Sequence, residues 1–205
     1  LVGENMGDIY GSTVSGTVAG NNYIGGLVGK NEGLIENVGD VEVIIEGQGD
    51  TLGGVAGMNY GGGEIYKVTI VRDLSGTEKV GGIVGVNEGV VGKDTSDTDI
   101  LVLGKVMGDK IVGGIAGENR GGQIKNVRMQ GGVWWGDNNK LNTAGGIVGR
   151  NSGIIQNSMA DSDVVGLNDL GGIVGINSGR VEQVRAAGEI TAKVSGNEHA
   201  GGVAG

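Results

Sequence analysis

Large aliphatic residues return along this chain at fixed distances from paired glycines, and a single asparagine returns a fixed distance after them. The unit is Gly-Gly-[Leu/Ile/Val]-[Val/Ala]-Gly-x-Asn-x-Gly. Its first five residues are complete seven times, starting at Gly25, Gly53, Gly81, Gly113, Gly145, Gly171 and Gly201, at intervals of 28, 28, 32, 32, 26 and 30 residues. Leu1-Val2-Gly3 supply the end of an eighth opening. The third position is always a large aliphatic: Leu27, Val55, Ile83, Ile115, Ile147, Ile173 and Val203. The sixth varies freely, through Glu4, Lys30, Met58, Val86, Glu118, Arg150 and Ile176, whereas the seventh is Asn5, Asn31, Asn59, Asn87, Asn119, Asn151 and Asn177. A further apolar site follows each ninth-position Gly: Ile9, Ile35, Ile65, Val91, Ile124, Ile155 and Val181.

Side chains alternate across a strand, so the third and seventh positions are expected on one face and the sixth on the other, in solvent. The fourth fits that alternation less well; a bend at the fifth-position Gly would leave it partly covered. The leading Gly pair marks a tight corner or a close backbone approach that a Cβ would obstruct. Asparagine followed two residues later by Gly is a turn signal. If units stack at roughly 4.7–4.9 Å, equivalent Asn side chains can bond to one another as a ladder. The second half of each unit drifts, but Val14–Val18, Val41–Ile45, Val68–Val71 and Glu189–Val194 read as strands, with enlarged loops at Asp94–Asp99 and Gly136–Lys140. No segment carries a capped apolar stripe of helical period.

Self-similarity at this period marks an array in which each repeat is one rung. The prediction is an all-β parallel β-helix (β-solenoid) with one coil per 26–32-residue repeat and two or three short strands in each coil. Seven or eight coils are expected, and the usual crossover rule makes them right-handed. A lone coil buries too few aliphatics to offset the entropy of ordering its backbone, so stability must come from neighbours. Residues 1–205 form a single array on this reading. It begins and stops inside repeats, as a fragment of a longer chain would, with coil ends that contact further sequence or another copy.

Composition agrees with ordered β-structure. Glycine contributes 48 residues and proline none, alongside 28 Val and 18 Ile. β-Branched residues suit a pleated, half-buried surface, and proline would delete ladder hydrogen bonds. Collagen is excluded, since its Gly-X-Y period and Pro are missing. A formal charge of −9 argues against nucleic acid or anionic lipid as partner. No apolar run is long enough for a membrane span, and the absence of Cys excludes disulfides and thiolate metal sites.

Gly-Gly-Leu-Val-Gly at 25–29, its six near copies and the repeated Asn-x-Gly resemble the GLUG motif of bacterial surface proteins, over essentially the whole chain. Such repeats occur in filamentous-haemagglutinin-like adhesins and in immunoglobulin A1 metallopeptidases of Gram-positive bacteria. The resemblance implies a secreted or surface-attached β-solenoid and carries over no catalytic residue. The zinc signature His-Glu-x-x-His of those peptidases is absent, His199 being the only histidine.

Other chemistry is thinly represented. His199, in Asn197-Glu-His-Ala, reads as an exposed loop residue. There is no Gly-x-Ser-x-Gly elbow, and Lys93 is followed by Asp94 rather than by the Ser or Thr of a Walker loop. Asp94, Asp97 and Asp99 could gather around calcium but lack EF-hand spacing; a solvated loop is the plainer reading. Trp134 and Trp135 are adjacent, so one points inward and one outward; the outer ring could stack on a sugar or a protein, or pack on the long loop that follows. Acidic residues are scattered, without the paired carboxylates of a carbohydrate-active β-helix enzyme. No catalytic, cofactor or metal residue is therefore assigned. The expected role is a non-catalytic stalk or adhesive surface of a bacterial extracellular protein, with a host protein or glycan as partner. The alternative is a substrate-positioning region of a large secreted immunoglobulin A1-type metallopeptidase.

Overall fold

A computed structural model describes residues 2–39, 41–46, 49–93, 98–136, 142–192 and 199–205. The described residues are all-β, every paired strand runs parallel to its neighbour, and the coils stack as a β-solenoid of about six turns. Each coil has four or five short strands rather than two or three, because the drifting half of the repeat turns more corners than its polar punctuation suggests.

Two walls are continuous. The asparagine sheet joins Val2–Asn5, Val28–Asn31, Ala56–Asn59, Val84–Asn87, Ala116–Asn119, Val148–Asn151 and Val174–Asn177 in one order. The lead-in sheet joins the strands that end on the first signature Gly, from Tyr23–Gly25 and Thr51–Gly53 to His199–Gly201. Pairing is in strict repeat register: Val28 faces Ala56, Lys30 faces Met58 and Asn31 faces Asn59, and the same positions pair up the stack. The intervals vary between 26 and 32 residues, yet no slip enters these sheets.

From Leu27–Val28 to Ile173–Val174 the third and fourth positions are both buried, which departs from simple alternation and leaves the fourth fully rather than partly covered; in the end coils Val2 and Val203 are exposed. The backbone explains it. The N–H groups of Leu27 and Val28 both donate to the Val55 carbonyl, each at 3.0 Å, and Val55 and Ala56 do the same to Ile83. Two adjacent residues thus turn around one acceptor, and both side chains enter the core. The corner is tight enough that a Cβ on Gly25 would lie 2.7 Å from the Cα of Ala56. A Cβ on the second Gly would strike the equivalent carbonyl one coil on, as Gly26 meets Gly54 and Gly82 meets Gly114. The glycine pair is required by close approach, not by a left-handed φ.

The fifth position packs the two sheets together. A Cβ on Gly57 would sit 2.6 Å from the Ile24 nitrogen, and one on Gly85 would be 2.7 Å from the Leu52 nitrogen. The outward sides of the lead-in and asparagine sheets therefore face each other across a crease. Lys79 Nζ reaches Glu118 Oε2 at 3.3 Å across it, and Lys30 Nζ lies 5.6 Å from the Tyr23 ring centre. The crease covers part of the sixth-position column, expected in solvent: Met58 and Val86 are only 4% and 2% exposed.

The third wall is bent. Core residues Ile35, Ile65, Ile124 and Ile155 are each followed two residues later by a left-handed residue: Asn37 (φ 57°), Lys67 (49°), Asn126 (49°) and Asn157 (50°). Gly11 and Gln183 continue the column at 57° and 51°. This corner returns the chain to the core at Val38, Val68 and Val127. The fourth wall is broken. Val14–Ala19 pairs with Val41–Glu46 as a two-stranded sheet, while Leu74–Ser75, Val106–Gly108, Val133–Trp135, Val164–Gly166 and Ile190–Ala192 form a separate five-stranded one. One aliphatic column, including Ile83, Ile115, Ile147 and Ile173, runs through the centre.

Candidate binding site

The asparagine column offers the most regular polar chemistry. Each Nδ2 donates to the Oδ1 one coil on: Asn5 to Asn31 at 2.8 Å, Asn31 to Asn59 at 2.9 Å, Asn59 to Asn87 at 2.8 Å, Asn87 to Asn119 at 2.9 Å, and Asn119 to Asn151 and Asn151 to Asn177 at 2.8 Å. The same amide nitrogen also donates to a glycine carbonyl in its own turn, as Asn31 to Gly33 at 2.9 Å and Asn119 to Gly122 at 3.1 Å. That second bond orients every amide alike. Asn31, Asn59, Asn87 and Asn119 are completely buried. The column is a satisfied internal ladder, in which bonds polarise one another, rather than a row of ligand-binding groups.

His199 is exposed, 71% for its side chain, but it lies in the strand His199–Gly201 rather than in a loop. Its Nδ1 is 2.9 Å from Asp169 Oδ1, on the neighbouring lead-in strand. Of the proposed calcium loop, Asp94 and Asp97 lie outside the described residues. Asp99 is buried, and its Oδ2 accepts the Lys93 N–H at 3.1 Å. Among the described residues, no three His, Asp or Glu side chains gather as a metal site would require.

A charged knot occupies the outside of the bent wall. Glu36 Oε1 meets Lys93 Nζ at 2.9 Å and Lys67 Nζ at 3.3 Å. The Lys93 bond first, and the Lys67 bond second, hold the Glu36 carboxyl below its ordinary value. Lys93 Nζ also stands 4.1 Å from the centre of the buried Tyr66 ring, whose hydroxyl is pushed up by burial and then by Glu64. Burial works to raise the Glu118 carboxyl, but Arg120 and Lys79 outweigh it and hold it low. The Glu36 pairs and Lys79–Glu118 are structural ion pairs between coils, and Arg120–Glu118 lies within one.

The tryptophans mark a place where an aromatic ring and several polar groups share a hollow. Trp134 and Trp135 are both half-buried in Val133–Trp135, instead of one fully in and one out. Trp134 folds back over Gly132, where a Cβ would run into the indole nitrogen. Lys105 Nζ lies 5.3 Å from its ring centre. Around it, Asp73, Lys105, Gln130, Ser162 and Asp163 help line an open cleft of about 370 Å³. Asp73 Oδ1 accepts the Lys105 N–H at 2.8 Å, and Asp163 Oδ1 accepts that of Glu189 at 2.8 Å, fixing both carboxylates. Asp161, also lining the cleft, is held by Arg128 at 3.1 and 2.6 Å. The sequence pointed to the tryptophan pair but not to these partners. They come from successive coils, 27 to 32 residues apart in register, so only the assembled stack brings them together.

No family model matches the chain, and no solved structure matches it. The chain is similar to Halomucin of Haloquadratum walsbyi, with 32% identity over 171 residues. The match covers 74% of this chain and 2% of Halomucin, so the chain spans a very small part of that relative's length. No helix of the described residues is long and apolar enough to cross a membrane.

Proposed function

We propose that this chain is a non-catalytic segment of an extracellular bacterial repeat protein of the GLUG type, serving as a stalk or adhesive wall. The observation that carries the reading is the unbroken register of the asparagine sheet across repeats of unequal length. The strands of one side keep a constant register, with only one or two extra residues in the turns after Asn119 and Asn59, while the larger length changes fall in the loops of the other. That division suits a spacer that carries a variable surface. The likeness to Halomucin supports it, because a match over most of this chain and 2% of the relative is what a segment of a long modular array gives.

Two measurements test it. Duplicating residues 53–112 in frame adds two coils and lengthens the particle by about 9–10 Å in small-angle scattering. A duplicated chain that unfolds or keeps its length defeats the stalk. Antibody against the chain labels intact, unpermeabilised cells of the source organism or its culture medium; label confined to the cytoplasm defeats the location.

A further inference from the structure

We propose that the Trp134 cleft binds the neutral sugar rings of a polysaccharide. The inference deepens the adhesive reading and rests on it. Three features carry it together. The first is the ring: an indole gives a flat, apolar platform with a donor at its edge, which suits the C–H face and hydroxyl rim of a pyranose. The second is the polar rim. Asp73 and Asp163 each use one oxygen on a backbone N–H, which fixes the other as an acceptor, and the Gln130 amide both donates and accepts. Lys105 Nζ stands over the ring and swings out to donate to a hydroxyl of the sugar that stacks there. The lining is more polar than apolar, which suits a ligand rich in hydroxyls rather than an apolar one.

The third feature is independent of these. Ser162, in the cleft wall, is only 5% exposed, and its hydroxyl has no hydrogen-bond partner. Native structures rarely leave such a group unmatched. The other two unmatched buried atoms, Trp135 Nε1 and Asn142 Nδ2, flank residues 137–141, outside the described set; Ser162 does not. The oxygen is shielded as the side chain stands, and a χ1 rotation of Ser162 brings it to the cleft it lines, where a ligand hydroxyl completes it. The charge balance selects a neutral ligand: Arg128 offsets Asp161, which leaves Asp73 and Asp163 against Lys105, a rim of net negative charge that repels an acidic sugar. A cation is disfavoured because Asp73, Asp161 and Asp163 are already engaged by N–H groups and Arg128.

The test uses the whole chain, with affinity read by isothermal titration calorimetry and the site by tryptophan fluorescence; laminarin, yeast mannan and arabinogalactan are the neutral probes, polygalacturonate the acidic one and calcium chloride the ionic one. Saturable quenching by at least one neutral glycan is expected. Trp134→Ala should weaken the calorimetric affinity at least about ten-fold, and Ser162→Ala by about two- to five-fold. Trp135→Phe should keep both the binding and the quenching. Circular dichroism checks that each variant retains its β-structure. Should Trp134→Ala lose its fold, Ser162→Ala and Gln130→Ala decide, and unaltered affinity in both overturns the proposal. So does binding to none of the neutral glycans, binding only to polygalacturonate or calcium, or equal binding by wild type and folded Trp134→Ala. None of these results touches the stalk, whose length and location are measured separately.

Discussion

The asparagine sheet and the fourth wall are made by the same coils, yet one is continuous through seven strands and the other is broken after two. In the first, every position has its counterpart one coil on, and side-chain bonds run along the stack. In the second, strand lengths differ between coils; Ile44 is 61% exposed, and a tryptophan folds over a glycine. Order in the stack is therefore concentrated on one side. The other side needs only to keep Val106, Val133 and Val164 pointing into the core, and it is free to vary elsewhere.

That contrast can be broken most severely at the glycines. Gly82→Ala places a methyl against the Gly114 carbonyl and should cost about 4 kcal/mol or more, enough to prevent folding; a soluble chain with an unchanged urea midpoint would remove the close-approach argument. Next comes the ladder. Asn87→Ala strands the Asn59 donor and the Asn119 acceptor in the core, an expected loss of about 2–5 kcal/mol in urea unfolding. Asn177→Ala, at an exposed position with one ladder bond, should cost under about 1.5 kcal/mol. Equal effects at the two sites would show that burial does not set the ladder's strength.

On the variable side the expected effects are smaller, and one has the opposite sign. Lys67 holds φ at 49°, where a Cβ is strained, so Lys67→Gly should stabilise by about 0.5–1 kcal/mol even after losing the ion pair to Glu36. Ile44→Thr should change the midpoint by less than about 0.5 kcal/mol. Acid gives the finest probe. The Glu36 and Glu118 carboxyls are held below their ordinary value of 4.5, so their contribution is complete above that pH and fades as pH falls through the depressed folded values. In Glu36→Gln the decline in urea midpoint between pH 5 and pH 3 should be shallower than in wild type.

The constant side was legible in the sequence because each of its residues is dictated by the same residue one coil away. Asn59 must be Asn because Asn31 and Asn87 are, and Gly54 must be Gly because Gly82 presents a carbonyl to it. Periodicity records such constraints directly. The left-handed corner was less visible: Asn37, Asn126 and Asn157 hint at it, but Lys67 and Gln183 occupy the same place because surrounding pairing imposes the angle. The crease was hidden too, since burial of Met58 and Val86 depends on how two sheets meet rather than on the pattern within either. The cleft around Trp134 had no signature of its own. Its groups are drawn from different repeats, and each residue in isolation looks like an ordinary surface side chain.

The amides of the asparagine column all point the same way, which gives the array a head and a tail at every level. A coil turned end for end would set NH2 against NH2 and carbonyl against carbonyl, whereas a coil copied in the same sense meets its neighbour with the bond already specified. Tandem duplication of the coding unit can therefore extend such a protein without inventing a new interface, while inversion cannot.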